Sequence, residues 1–293
     1  MREEKNSTDE RLREEQNSTD ERLREDQSNP MTRVGFVGAG RMGTPMVTRL
    51  VGAGHEVRVL ARAGEKAAAL AEQGADPVTD LAAVATGADV VVVCVFSDDQ
   101  VKELCLDGDL VAESAPGSVL ILHTTGSPKT AQSIATKHHH VAVIDAPVSG
   151  GPHDIAAGAV TLFVGGDDEA LERARPVLSS YGDPILHTGP TGTGQAVKLV
   201  NNTLFAAQIG LVTEAVRLAS RLGVGETPLL NALTHGSAQS RVLSMIARTG
   251  SAEAFLAAVS EFIGKDIAVV RDTVVDLNDD LGEFDGILKT VTP

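Results

Sequence analysis

The chain changes its hydrophobic period once, and the change divides it. From Arg33 onward, short and largely apolar runs recur: Val34 to Val37, Glu56 to Leu60, Asp89 to Val95, Val119 to Leu122, Val141 to Asp145 and Val160 to Val164. Val/Ile/Leu runs of this length, separated by helical or turn segments, suit parallel strands covered on both faces. Beyond Gly192 the strand signal stops and the spacing becomes helical. Ala196, Leu199, Val200, Leu204, Ala207, Ile209, Leu211, Val212, Ala215, Val216 and Leu218 recur at that spacing up to Gly223, which predicts one long helix. Its apolar positions cover nearly the whole circumference, so both domains or a second subunit must cover it. Residues 226 to 279 read as further helices, with starts at Thr227-Pro228 and Ser251 to Glu253 and interruptions at Gly236, Gly250 and Gly264.

The pattern predicts an α/β fold: a doubly wound parallel sheet over residues 31–191, joined by the long helix to a smaller all-α domain over 192–293. Residues 1–30 belong to neither. There an 11-residue unit, Arg-Glu-Glu-Lys-Asn-Ser-Thr-Asp-Glu-Arg-Leu, repeats nearly twice, with Leu12 and Leu23 as its apolar positions. Such a segment cannot bury a core, and it reads as a charged tail, disordered or helical, upstream of Met31.

Composition narrows the class. A chain of 293 residues with 42% apolar residues can bury one large core or two moderate ones. A net charge of -15 disfavours nucleic acid and anionic membrane, and an anionic substrate would need a local positive site. No apolar run reaches the roughly 18 residues of a membrane span, and the N-terminus is too charged for a signal peptide. The cytoplasm is the expected location. Cys94 and Cys105 have no metal-ligand spacing, so reduced structural thiols and no metal site are expected.

The first strand runs into Gly38-Ala39-Gly40-Arg41-Met42-Gly43. The Gly-x-Gly-x-x-Gly spacing keeps the turn tight, lets backbone approach a pyrophosphate, and lets the following helix pack on the strand. Phosphates would sit at that helix N-terminus, where free N–H groups and the dipole favour anions. With the second strand at Glu56 to Leu60 this is a βαβ start, so the sheet is of the Rossmann type. An NAD site carries Asp or Glu at the end of that second strand to hold the ribose 2'-hydroxyl. This chain has Ala61-Arg62 there, with Lys66 a turn on. A guanidinium pairs with a 2'-phosphate, so NADP is expected, and Glu65 keeps NAD possible. In such sheets the ligand crevice lies past the C-terminal strand ends, here Phe96-Ser97, Thr124 to Pro128 and Asp145 to Gly151. On the long helix, Lys198 and Asn202 are spaced i,i+4 and share one face, an ammonium beside an amide.

Four segments in this order, Gly38 to Gly43, Asp145 to Gly151, Gly192 to Asn202 and Lys265-Asp266, resemble the β-hydroxyacid dehydrogenase family. It includes 3-hydroxyisobutyrate dehydrogenase and tartronate semialdehyde reductase, within the 6-phosphogluconate dehydrogenase superfamily, and the similarity covers residues 32 to about 275. The resemblance implies an oxidoreductase that interconverts a short β-hydroxy acid and its aldehyde or keto form. In that scheme Lys198 is the general acid and base, Ser149 with the Gly150 and Gly151 backbone holds the substrate carboxylate and hydroxyl region, and Asn202 orients it. Val95, Phe96 and Thr125 contact the cofactor, and Lys265 closes over the nicotinamide. A buried ammonium near other cations has a lowered pKa, which suits that role.

Two departures stand out. Pro152-His153-Asp154-Ile155 replaces the small residues that usually follow the two glycines, with His153 read as a surface or loop histidine. The chain also ends soon after its last helical pattern, which implies that the final helices are shortened or absent and that a homodimer or homotetramer covers the exposed apolar surface. Imine reductases resemble the same fold but usually carry Asp or Tyr where Lys198 stands. A non-catalytic NADP-binding scaffold would tend to lose that lysine.

Overall fold

The structure is a computed structural model that describes residues 31–61 and 64–291. The repeat tail over 1–30 and Arg62 lie outside the described residues. In chain order the first half comprises β1 (Arg33–Val37), α1 (Gly43–Gly52), β2 (Glu56–Leu60), α2 (Glu65–Glu72), β3 (Asp76–Val78), α3 (Leu81–Ala85) and β4 (Val90–Val93). Then come α4 (Asp98–Lys102), which continues as a π-helical turn over Glu103–Asp107, followed by β5 (Val119–Leu122), α5 (Pro128–Lys137) and β6 (Ala142–Asp145). The strands run parallel in the order β3-β2-β1-β4-β5-β6. This is the doubly wound, Rossmann-type sheet that the apolar runs predict.

Period-two alternation divides these strands between two cores. Val90 and Val92 of β4, with Val119 and Ile121 of β5, join the cluster around Phe36, Met46, Leu50 and Tyr181. Val91, Val93, Leu120 and Leu122 face the other way, onto Val84, Val101, Cys105 and Ile134. Because both faces are dry, neither side tolerates a polar position, and the runs are continuous for that reason.

Past β6 the structure departs from a uniformly parallel sheet. It continues through β7 (Val148–Ser149), α6 (Pro152–Ala156), β8 (Val160–Gly165), α7 (Asp168–Leu178) and β9 (Gly182–Gly189). β8 is antiparallel to both β6 and β7 and parallel to β9. A parallel return needs a crossover helix over the sheet, and the residues between β6 and β8 are used for β7 and α6 instead. β9 has no apolar run because past Gly182 its residues are exposed or half-buried.

The remaining chain is helical, as its spacing predicts: α8 (Thr193–Arg221), α9 (Glu226–Leu233), α10 (Arg241–Thr249), α11 (Ala252–Asp276) and α12 (Glu283–Leu288). Gly250 ends α10 in the left-handed region, φ 84°. Gly264 does not interrupt α11: Ile263 and Ile267 are buried in the helical core, and that packing outweighs the roughly 1 kcal/mol intrinsic cost of a helical glycine. α8 buries Leu199, Ala206 and Ile209 in this core. Its opposite side is left open, with Val200 68%, Leu204 48%, Leu211 54% and Leu218 51% exposed. The chain's own domains thus cover one side of the helix.

Cys94 and Cys105 are both free, and burial pushes each thiol up to about 12, which makes them poor nucleophiles. No single helix among the described residues is long and apolar enough to cross a membrane.

Candidate active site

The glycine turn between β1 and α1 divides its three glycines by role. Gly38 has φ 102°, and a Cβ there would stand 2.2 Å from the Cys94 carbonyl oxygen. A Cβ on Gly43 would stand 2.2 Å from the Gly38 carbonyl oxygen. The chain's own packing therefore requires those two. At Gly40 a Cβ would meet nothing closer than 4.0 Å, so its missing side chain leaves a cradle open above the turn. Among the described residues no backbone hydrogen bond uses the N–H groups of Arg41, Met42 and Gly43, and they stand at the positive end of α1. Free N–H groups around an open cradle fit the pyrophosphate of a dinucleotide, and Ala39 is buried beneath it.

The rim of the crevice is built from β4, β5 and α11. Val95 N–H donates to Thr124 Oγ1 at 3.0 Å, and that hydroxyl donates back to the Val95 carbonyl at 2.9 Å. Phe96 is 53% exposed; its N–H donates to Gln100 Oε1, and its carbonyl accepts from Lys265 Nζ at 3.0 Å. The Lys265 ammonium also lies 5.1 Å from the Phe96 ring centroid. Arg41 reaches α11 in turn, its guanidinium 5.1 Å from the Phe262 ring centroid. Val95, Phe96, Arg41 and Lys265 are thereby brought to one rim, with Phe262 and Gln100 as members that sequence reasoning missed. Thr125 lies beside them in a cleft of about 510 Å³ that also takes in Ser97, Lys129, Lys265 and Asp272. That cleft lies between α5 and α11, and Lys198 is not part of its lining.

Two motifs far apart in sequence meet at Asp145. Its side chain is fully buried at the end of β6 and accepts the N–H groups of Gly192 at 2.6 Å and Gln195 at 2.7 Å. It therefore caps α8, whose N-cap has no side-chain acceptor of its own. Gly194 makes the approach possible, since a Cβ there would stand 2.5 Å from the Phe163 carbonyl oxygen and 2.6 Å from that of Asp145. Gln195 completes the joint, accepting from Gly126 N–H and donating to the Thr124 carbonyl.

One turn into α8 stands Lys198, half-buried, with no hydrogen bond or ion pair among the described residues. Burial lowers its pKa from the ordinary lysine value, the Asp266 carboxylate opposes that, and Lys265 adds to the lowering. Asn202, on the same face, donates Nδ2 to Asp266 Oδ2 and accepts from Asn201 at 3.0 Å. Asp266 also lies 3.3 Å from Lys265 Nζ, although its Oδ1 makes no hydrogen bond. We read the Lys265 contact as a charge attraction without hydrogen-bond alignment.

Ser149 and the two glycines form the turn from β7 into α6. Ser149 pairs with Thr161 of β8, the strand on which Gly194 packs through Phe163, so this turn and the start of α8 rest on the same strand. The Ser149 hydroxyl and the Gly150 N–H have no partner among the described residues. Gly151 N–H is engaged, donating to Asp154 Oδ2 at 2.7 Å. His153 is exposed. His123 stands apart from the site, held between the Ala146 carbonyl and the Tyr181 hydroxyl, with its pKa pushed down to about 4 by burial. Among the described residues no group of His, Cys, Asp and Glu has the makings of a metal site.

Comparison with known proteins identifies the family. Residues 33–189 match the NAD-binding domain of 6-phosphogluconate dehydrogenase. Residues 192–280 match the NAD-binding domain of NADP-dependent 3-hydroxyisobutyrate dehydrogenase. The NAD-dependent L-serine dehydrogenase of Pseudomonas aeruginosa is 39% identical over 197 residues, 66% of this chain and 66% of that protein. This chain thus spans about two thirds of that relative's length. The 3-hydroxyisobutyrate dehydrogenase of the same organism is 34% identical over 218 residues, 73% of each chain. Among solved structures, the 3-hydroxyisobutyrate dehydrogenase of Mycobacterium tuberculosis with L-serine superposes with a TM-score of 0.80 at 29% identity, covering 88% of this chain and 92% of that one. With a nicotinamide-dinucleotide domain matched over most of its length, the chain belongs to the β-hydroxyacid dehydrogenase family.

Proposed function

We propose that this protein is an NADP(H)-dependent oxidoreductase that interconverts a short β-hydroxy acid and its aldehyde or keto form. The observation that carries this reading is Lys198: an ammonium without a partner, with a pKa lowered by burial, one helical turn before Asn202. An amine in that state gives up its proton more readily than an ordinary lysine, which suits it to general acid–base work.

The turn Gly38 to Gly43, with Val95, Phe96, Thr125 and Lys265 on the rim, would hold the dinucleotide, which supplies hydride transfer at its nicotinamide. Ser149 Oγ and Gly150 N–H offer two donors to the substrate carboxylate, and Gly151 contributes its backbone to the same turn. Asn202, fixed by Asp266, orients the substrate. Lys198 gives a proton to the carbonyl oxygen during reduction and removes it from the hydroxyl during oxidation. Arg62, in the place of an acidic residue, supports NADP over NAD. Lys198 also weighs against imine reduction, whose enzymes usually carry Asp or Tyr there. The names of the relatives, L-serine and 3-hydroxyisobutyrate dehydrogenases, support a hydroxy acid as substrate. We further propose a homodimer built on the exposed side of α8.

The test is NADPH oxidation with succinic, tartronic and methylmalonic semialdehydes, glyoxylate and a cyclic imine, for the native protein and Lys198→Met. Turnover of a semialdehyde that is lost in the variant is expected. Turnover of the imine alone would overturn the reading.

A further inference from the structure

The turn that seats the substrate in this reading also holds a carboxylate that the reaction does not use. Asp154 Oδ2 accepts the Gly151 N–H at 2.7 Å, and a Cβ built on Gly150 would stand 2.8 Å from the same oxygen. The Asp154 carboxylate therefore lies against the backbone of both glycines. It is half-buried, and no cation pairs with it among the described residues.

Two consequences follow for a ligand at this turn. The Gly151 hydrogen is already committed, so a substrate carboxylate is left with the Gly150 N–H and the Ser149 hydroxyl. With Asp154 Oδ2 against the same turn, any further group that the ligand turns toward Gly151 meets a negative charge. A second carboxylate would be repelled and desolvated there, whereas an ammonium would find an acceptor with lone pairs to spare.

We propose that Asp154 selects the charge pattern of the substrate, favouring a zwitterionic β-hydroxy-α-amino acid over a hydroxy acid that carries a second carboxylate. This rests on the β-hydroxy acid reading of the site. The α-carboxylate takes Ser149 and Gly150, and the α-ammonium, one carbon away, takes Asp154. Oxidation then breaks the C–H bond at the hydroxyl-bearing carbon. The hydride passes to the oxidised nicotinamide, the hydroxyl proton to Lys198, and the C–O bond becomes a carbonyl.

Asp154 also serves as the third residue of α6, in a capping arrangement with Gly151, and a purely structural role must be separable from selection. Asp154→Asn keeps an oxygen for the Gly151 N–H and removes the charge; Asp154→Ala removes both. L-serine, 3-hydroxypropionate and 2-(hydroxymethyl)malonate differ only in the α-substituent, which is an ammonium, a hydrogen or a carboxylate. The native enzyme should rank them in that order by kcat/KM. In Asp154→Asn the ratio of L-serine to 3-hydroxypropionate should fall at least tenfold and that of the malonate should rise. Equal scaling of all three by either variant would leave Asp154 a capping residue and overturn the proposal. If the native enzyme turns over none of the three and no other hydroxy acid, the activity reading fails. Equilibrium binding of the three acids to the NADP(H)-loaded protein then decides the charge preference by the same ranking.

Discussion

Asp145 accepts the backbone N–H of Gly192 at 2.6 Å, so the last residue of β6 holds the first turn of the helix that carries Lys198. Its carboxyl is pushed up to about 6, by burial first and against the lowering effect of the helix N–H groups. A folded-state pKa above the unfolded value favours the native state at low pH, and the advantage is lost as pH rises through about 6. The stability of the native protein relative to Asp145→Asn should therefore shrink by up to about 3 kcal/mol between pH 4 and 7. Urea denaturation across that range tests it, and a pH-independent difference would contradict it.

Lys198 predicts the pH dependence of turnover. In the proposed reaction the neutral amine is the base for alcohol oxidation, and its pKa is lowered from the ordinary lysine value. Oxidation should rise with pH and level off below the ordinary lysine range. Because Asp266 opposes the lowering, Asp266→Asn should move that limb to still lower pH. Lys198→Ala should reduce kcat by roughly 10²- to 10⁴-fold while leaving NADPH binding intact. A limb that stays in place in the Asp266 variant would remove the electrostatic argument.

Gly38 and Gly40 should fail in different ways. Gly38→Ala meets both a positive φ and the Cys94 carbonyl, and it should destabilise the fold by about 1–3 kcal/mol. Gly40→Ala meets open space and should keep its Tm while losing NADPH affinity, because the new methyl enters the cradle. Calorimetry with fluorescence titration distinguishes the two; equal Tm losses would mean that Gly40 is structural.

Arg62 lies outside the described residues, so its role rests on its place after the second strand. Arg62→Asp should weaken NADPH relative to NADH by about 1–3 kcal/mol, the range of a charge-assisted hydrogen bond. An unchanged preference in Kd would show that the 2'-phosphate is read elsewhere.

The exposed stripe of Val200, Leu204, Leu211 and Leu218 on α8 recurs at intervals of one or two turns. Phe284, 40% exposed on α12, and Leu277, 65% exposed just past α11, offer apolar contacts for a second copy. Isologous pairing would bury both sets in a homodimer. Sedimentation at micromolar concentration should show a dimer for the native chain and a monomer for the Leu204→Glu, Leu211→Glu pair. A native monomer with full activity would rule the dimer out.

How far each part of this architecture was legible depends on the range of the interactions that form it. β4 and β5 are readable because a strand buried on both faces must be apolar at every position. The boundaries of α8, Thr193–Arg221, fall within the predicted Gly192 to Gly223, because a helical period and its flanking glycines are local properties. The tight packing at Gly38 and Gly43 was likewise written in their spacing. β9 was not legible, since an exposed edge strand leaves its side chains free to be polar. Nor was the reversal at β8, where the direction of pairing depends on how the intervening residues are used. The pairing of Asn202 with Asp266, of Arg41 with Phe262 and of Asp145 with the start of α8 joins residues whose partners lie far along the chain. Such contacts follow from how the sheet and the helices pack against one another, and only the tertiary structure determines that. Asp154 belongs with them: as sequence it marks a departure from a family pattern, and only the folded turn brings its carboxylate to the Gly151 N–H.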